Sequence, residues 1–152
     1  MNLRPLAPGS PAPDLAWQES GAIVRLAARC REQGAFVLFL PLAGAPVCVD
    51  DVRALAAAAA ELGAPRRPLV VASVDRADHL RRFLDESGAQ ALAHTGDPEL
   101  AVAESFGVRR PEGFAARASF LVGRDGRIAA SAVHPIAFPR PLTQLAEWIA
   151  LA

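Results

Sequence analysis

The sequence predicts an α/β fold in which a mixed central sheet carries helices on both of its faces. Residues 35–40 and 69–74 are continuous apolar runs of strand length, which is typical of strands covered on both sides. An alanine-rich run over residues 50–62 lies between them and favours a helix, so that the two strands pair in parallel through a crossover. The Asp125-Gly126 dipeptide between two later apolar runs indicates an antiparallel hairpin.

The elements before the first buried strand are short. Residues 1–14 predict an irregular arm, and residues 15–17 and 23–26 favour two edge strands. Residues 27–33 predict a short helix that Gly34 ends.

Capping and turn signals set the elements that follow the second buried strand. Asp75 or Asp78 can cap a helix that runs towards Gly88. A capping Asp followed by Pro is typical of a helix start at Asp97-Pro98-Glu99. The helix that starts there is expected to end near Gly107. The remaining expected elements are a short strand at 90–94, strands at 118–122 and 128–133, and a last amphipathic helix at 142–151.

Composition and charge exclude several function classes. The 152 residues predict one domain, 1–152, and the 16 basic and 16 acidic residues cancel, which argues against a nucleic-acid partner and permits self-association. The longest apolar stretch, 35–49, is broken by two prolines and a glycine and is too short for a membrane span. Residues 1–13 lack the apolar segment of a signal peptide. We expect a soluble cytoplasmic protein, in a reducing compartment where a free thiol persists.

Cys48 is the residue with the clearest chemical signal. It follows a buried strand and opens the alanine-rich helix, where unpaired N–H groups and the helix dipole favour a thiolate over a thiol. The stretch Ala45-Pro46-Val47-Cys48 lacks the first sulfur of a C-x-x-C motif, which disfavours dithiol–disulfide exchange.

Several further segments occur in the order found in one known family. They are Pro11-Ala12-Pro13-Asp14-Leu15, Leu38-Phe39-Leu40-Pro41, Ser73-Val74-Asp75, Ser105-Phe106-Gly107-Val108, and Arg117-Ala118-Ser119-Phe120-Leu121-Val122 with Asp125-Gly126. Together with the position of Cys48, they resemble motifs of the peroxiredoxins of the alkyl hydroperoxide reductase C / thiol-specific antioxidant family, over nearly the whole chain. Because no cysteine follows Cys48, the chain most resembles the short one-cysteine members.

The resemblance implies a thioredoxin-like (peroxiredoxin-type) fold and a thiol peroxidase that reduces hydrogen peroxide or alkyl hydroperoxides through a Cys48 sulfenic acid. It implies Cys48 as the nucleophile, Arg117 as a fixed cation, and Pro41 as a shield for the sulfur. The backbone N–H groups of Val47 and Cys48 would bind substrate. The implied partners are a peroxide, an external thiol reductant (thioredoxin-like or a low-molecular-weight thiol), and a second copy of the chain in a homodimer.

One position departs from the family motif P-x-x-x-[TS]-x-x-C. Pro41 and Cys48 fit it, but Ala45 occupies the Thr/Ser position, whose hydroxyl in the family bonds the thiolate and the peroxide. A charge-assisted bond is worth about 1.5–3 kcal/mol, so its loss from the transition state would slow the reaction by roughly 10- to 150-fold. The alternatives are a slow peroxidase, a rearranged site, or a degenerate, non-catalytic thioredoxin-fold binding or dimerisation module.

The remaining candidate residues receive structural interpretations. Asp51 falls where the family has a Glu near the site, and we interpret it as a solvated carboxylate at the helix start. Cys30 and Cys48 flank a six-residue strand of about 20 Å, whereas a disulfide needs Cα atoms closer than roughly 7 Å. Cys30 is therefore interpreted as structural, with a resolving or intersubunit role as the alternative. The three scattered histidines show no metal-ligand spacing, and no glycine-rich phosphate loop occurs, so we expect neither metal nor cofactor.

Overall fold

The computed structural model describes residues 3–152 and contains seven strands and five α-helices in this part of the chain. In chain order these are β1 (Ala16–Glu19), β2 (Ala22–Arg25), α1 (Leu26–Gln33), β3 (Ala35–Phe39), α2 (Pro46–Ala58), β4 (Leu69–Ser73), α3 (Ala77–Glu86), β5 (Ala93–Gly96), α4 (Ala101–Ser105), β6 (Ala118–Val122), β7 (Ile128–Val133) and α5 (Leu142–Trp148), followed by a 3-10 turn at Ile149–Leu151.

Five strands form one sheet in the order β5-β4-β3-β6-β7, and β1 and β2 form a separate antiparallel hairpin. Strands β3, β4 and β5 are parallel, whereas β6 is antiparallel to β3 and β7 is antiparallel to β6. The predicted mixed sheet is confirmed. The central strand β3 is fully buried, which explains its continuous apolar sequence.

Alternate side chains of β3 enter two different cores. Val37 and Phe39 pack with α1 and α4 on one face, where Phe39, Phe106 and Phe120 meet edge to face with centroids 5.0–5.9 Å apart. Phe36 and Leu38 pack with α2, α3 and α5 on the other face. The predicted arrangement, with helices on both faces of the sheet, is therefore present.

Several predicted boundaries are wrong. Helix α2 begins at Pro46 rather than at residue 50, because proline at the first helical position extends the helix towards β3. Strand β5 begins three residues later than predicted. Helix α4 begins only at Ala101 because Leu100 adopts a left-handed conformation (φ 60°), although the Asp97 carboxylate still accepts two N–H bonds from the first turn.

Strand pairing brings three segments to one edge of the sheet. Phe39, the last residue of β3, pairs with Ala118, the first of β6, and Ala118 pairs with Val133, the last of β7. The segment that leads to Cys48, the residue before β6 and the segment after β7 therefore meet at the same edge. No helix within residues 3–152 combines the length and apolar character required to cross a bilayer.

Candidate active site

Cys48 is the third residue of α2 and is completely buried. Ala45, the residue before the helix, provides no side-chain cap, and the first amide to close a helical bond is that of Val49, at 3.1 Å from the Ala45 carbonyl. The N–H groups of Val47 and Cys48 have no acceptor among residues 3–152. Two free donors and the positive end of the helix dipole therefore lie beside the thiol.

Arg117 reaches the sulfur from the start of β6. Its Nη2 donates to Cys48 Sγ at 3.4 Å and to the Ile136 carbonyl at 3.3 Å, and its Nη1 donates to Asp51 at 2.5 Å. The side chain is 1 % exposed. Its Nε, also buried, has no hydrogen-bond partner among the described residues. The structure thus brings the predicted arginine to the predicted cysteine and leaves the Nε of that arginine without a partner in this part of the chain.

Asp51 is not the solvated carboxylate that we predicted from the sequence. It lies three residues after Cys48 on α2, and because residues three apart share a helix face, it points into the protein together with the thiol. Its side chain is completely buried between the guanidinium groups of Arg117 and Arg140. Burial without these two partners would be costly for a carboxylate, so Asp51 and the two arginines form one unit.

Arg140 is the site residue that the sequence analysis missed. Its Nε donates to both oxygens of Asp51 at 3.0 Å, and its Nη2 donates to the carbonyl of Phe39 at 2.7 Å. Its Nη1 donates to the Ala118 carbonyl at 2.9 Å. Arg140 therefore joins the end of β3, the start of β6 and α2. It lies 89 residues from Asp51 in an irregular segment between two prolines, and no local pattern marks it.

A serine–histidine pair lies behind Arg140. Ser119 Oγ is 3.0 Å from Arg140 Nη1 and 2.9 Å from His134 Nε2, and the His134 N–H donates to the Arg117 carbonyl at 2.7 Å. Burial, reinforced by the nearby Arg140 and Arg117 cations, lowers the pKa of His134 to about 4, against the opposing effect of Asp51. His134 is therefore neutral at neutral pH.

The segment between β3 and α2 is held by a carboxylate two residues after the end of β4. Asp75 accepts hydrogen bonds from the Ala43 N–H, at 2.8 Å, and from the Ser73 hydroxyl, and its other oxygen lies 3.0 Å from His79 Nδ1. In this segment Pro41 is buried and Ala45 is half-buried. The structure places Ala45 immediately before the helix that carries Cys48, where its methyl group can neither cap the helix nor hydrogen-bond the sulfur.

Cys30, the candidate resolving cysteine, lies on the other face of the sheet from Cys48. It packs in the core formed with Val37 and Phe39, whereas Cys48 packs with Phe36 and Leu38. Both thiols are free and buried, and burial raises the pKa of Cys30. Because the sheet separates them, the folded chain does not bring the two sulfurs together.

The cluster of Cys48, Asp51, Arg117 and Arg140 contains two cations and one carboxylate. It therefore carries one positive charge that the carboxylate does not balance, in a buried place next to Sγ. Such a site stabilises an anion on the sulfur and can donate hydrogen bonds to an oxygen atom bound beside it. Residues 3–152 contain no group of three side chains able to hold a metal ion.

The chain is similar to one known protein family and to several solved structures. The sequence profile of the AhpC/TSA family matches residues 8–131. The reduced 2-Cys peroxiredoxin of Plasmodium vivax superposes with a TM-score of 0.81 at 19 % identity, over 96 % of this chain and 81 % of that chain. Peroxidoxin BcpB of Mycobacterium tuberculosis gives a TM-score of 0.81 at 19 % identity, over 95 % and 97 % of the two chains.

AhpC of Mycobacterium tuberculosis gives a TM-score of 0.80 at 14 % identity, over 97 % of this chain and 98 % of that chain. Comparison with curated protein sequences found no significant match. At these identities the solved structures establish the fold alone, and they confirm the thioredoxin-like arrangement of the peroxiredoxins.

Replacing Asp51 by Asn should destabilise the protein strongly. The change removes the one negative charge between two buried guanidinium groups, and breaking a buried ion pair from one side costs about 3–5 kcal/mol. The measurement is the free energy of unfolding in urea. Asp50→Asn is the matched control, because Asp50 is the exposed neighbour on the same helix, and it should change stability by no more than about 0.5 kcal/mol. Equal losses in the two variants would contradict this account of the cluster.

His134 should make stability depend on pH. The unfolded chain binds a proton at His134 below its ordinary pKa of 6.5, whereas the folded protein does so only near its pKa of about 4. The contribution of His134 to the free energy of unfolding is therefore fully present above pH 6.5. It is lost as the pH falls towards 4, by roughly 3 kcal/mol in all. His134→Gln cannot titrate, so between about pH 7 and about pH 5 it should lose about 2 kcal/mol less than the unaltered protein in urea unfolding. Parallel losses would contradict the shift.

Proposed function

The chain belongs to the AhpC/TSA family, and from this premise we propose that it is a thiol peroxidase that reduces hydrogen peroxide or alkyl hydroperoxides with Cys48. The observation that carries the proposal is the contact between Cys48 Sγ and Arg117 Nη2, at 3.4 Å, in a buried site at a helix start. A sulfur with this surrounding is stabilised as the thiolate, which is the nucleophilic form.

The reaction is a two-electron oxidation of the sulfur. The Cys48 thiolate attacks the terminal oxygen of the hydroperoxide, an S–O bond forms as the O–O bond breaks, and the leaving oxygen takes up a proton to give water or an alcohol. Cys48 becomes a sulfenic acid. An external thiol then condenses with it to a mixed disulfide, with loss of water, and a second thiol releases Cys48 in its reduced form as the external disulfide departs.

Three donors of this chain are available for the peroxide. The N–H groups of Val47 and Cys48 have no protein acceptor, and neither does the buried Nε of Arg117. A buried donor without an acceptor costs about 1–3 kcal/mol, and an oxygen atom of the substrate would relieve that cost. The same donors would stabilise the negative charge that develops on the leaving oxygen. In this scheme the buried Pro41 helps to keep water from the sulfur.

In this proposal the reductant comes from outside the chain. Cys30 lies across the sheet from Cys48, and no cysteine follows Cys48 in the sequence. We therefore propose a one-cysteine mechanism with a thioredoxin-like protein or a low-molecular-weight thiol as reductant, and a structural role for Cys30. A cytoplasmic location and a homodimer are part of the same proposal.

The test is the reaction of the reduced protein with about one equivalent of hydrogen peroxide, followed by intact mass measurement and peptide mapping. We expect a sulfenic acid at Cys48, formed much faster than on free cysteine. Cys48→Ser should abolish the reaction, and Cys30→Ala, the matched control at the other buried thiol, should retain it. Oxidation of Cys48 no faster than that of free cysteine would overturn the proposal.

The alternative is a non-catalytic thioredoxin-fold module that binds a partner or dimerises. The observation that favours it is Ala45, which leaves the helix without a cap and the sulfur without a hydroxyl donor. A chain that has lost peroxidase chemistry would no longer require that hydroxyl. The alternative predicts an unreactive Cys48, so the experiment above distinguishes the two functions.

Ala45→Thr should accelerate oxidation of Cys48 by roughly 10- to 150-fold if the missing hydroxyl limits the rate, because it supplies one charge-assisted hydrogen bond in the transition state. The measurement is the second-order rate constant with hydrogen peroxide. Ala45→Val is the matched control, since valine has the shape of threonine without the hydroxyl. Equal rates for the threonine and valine variants would show that the site works without a hydroxyl at this position.

A further inference from the structure

We propose that Ser119 and His134 are positioning residues that hold the Arg140–Asp51–Arg117 array in register with Cys48. The inference rests on the proposed function, because the array is useful to the extent that Cys48 reacts. Ser119 lies in the motif that begins at Arg117, but the sequence pattern assigned a chemical role to neither Ser119 nor His134, and neither side chain hydrogen-bonds the sulfur. Their role would be to fix the orientation of the Arg140 guanidinium group, which is connected to the sulfur through Asp51 and Arg117.

The hydrogen-bond partners of Ser119 determine where its proton lies. Within residues 3–152 its Oγ has two partners, Arg140 Nη1 at 3.0 Å and His134 Nε2 at 2.9 Å. A guanidinium group only donates, so Ser119 accepts from Arg140 and must give its own proton to His134. If His134 Nε2 carried a proton instead, the buried Ser119 hydroxyl would have no acceptor.

His134 is therefore neutral and protonated on Nδ1. His134 Nδ1 has no hydrogen-bond partner among residues 3–152. The buried side-chain nitrogen and oxygen atoms without a partner in this part of the chain are Arg117 Nε and Gln144 Oε1, so His134 Nδ1 is not fully buried and is within reach of water. One ring nitrogen thus faces solvent and the other receives the Ser119 proton. The pair forms a one-directional chain of hydrogen bonds from Arg140 through Ser119 to His134.

This chain of hydrogen bonds bears on the sulfur through two routes. Arg140 is fixed by Ser119 while its Nε holds both oxygens of Asp51, and Asp51 holds Arg117 Nη1 at 2.5 Å. The His134 amide also donates to the Arg117 carbonyl at 2.7 Å. The side chain and the backbone of Arg117 are therefore both tied to the His134 region, which leaves Nη2 directed at Sγ.

The tautomer is tested on the unaltered protein. Correlation spectra of the ¹⁵N-labelled imidazole rings at about pH 7 should show His134 neutral, with its proton on Nδ1. A charged ring, or a proton on Nε2, would overturn the proposal. This readout does not depend on activity, so it separates failure of this inference from failure of the proposed function.

The positioning role is tested by the rate of Cys48 oxidation by hydrogen peroxide. Ser119→Ala and His134→Leu should each slow it by about three- to tenfold, the equivalent of one hydrogen bond. The double variant should be no slower than the slower single variant, because the two residues act as a unit. His134→Gln, which keeps an acceptor near the Nε2 position, should recover most of the loss.

Ser131→Ala on β7 and His94→Leu on β5 are the matched controls and should keep the original rate. Multiplicative effects in the double variant, or equal rates for His134→Gln and His134→Leu, would overturn the proposal. If the unaltered chain reacts no faster than free cysteine, the proposed function fails. The same variants are then compared by the alkylation rate of Cys48 with iodoacetamide, where the same ranking is expected and equal rates would refute the inference.

Discussion

The structure around Cys48 depends on the burial of one carboxylate between two guanidinium groups. Asp51 has no access to solvent, and desolvating a carboxylate costs several kcal/mol unless partners replace the lost water. Arg117 and Arg140 supply those partners, and each belongs to a different part of the chain. The pair of contacts therefore ties α2, the start of β6 and the segment after β7 together at one edge of the sheet.

The same arrangement places unbalanced positive charge beside the sulfur. One carboxylate cannot neutralise two guanidinium groups, and low exposure prevents solvent ions from doing so. One of these two guanidinium groups, that of Arg117, contacts Cys48 Sγ. In the proposed function, stability and reactivity have a common origin, since the ion cluster that holds the helix to the sheet also places a guanidinium group beside Sγ. The loss of a hydroxyl at Ala45 removes one donor from this site and leaves the cluster untouched.

Local sequence patterns predicted the strands, and the one site residue, whose positions depend on neighbouring residues alone. The buried strands β3 and β4 were predictable because continuous apolar runs of that length have few alternatives, and Cys48 stood out through its place between a strand and a helix. The burial of Asp51 and the role of Arg140 depend on a contact between residues 89 positions apart. A carboxylate at a helix start is usually solvated, so only its spacing of three from Cys48 could have indicated otherwise.

The sheet itself constrains what can follow oxidation of Cys48. Side chains of β3 alternate between two cores, with Cys48 in one and Cys30 in the other, and five fully buried residues of that strand separate the two environments. A bond between the sulfurs would require one of the two cysteines to leave its core by local unfolding, and unfolding of α2 to release Cys48 would break the Asp51 ion pairs as well. The ion cluster beside Cys48 therefore resists the unfolding of α2 that would release this cysteine for an internal disulfide. In the proposed function an oxidised Cys48 is therefore reduced by a thiol from outside the chain and not by the other cysteine of its own chain.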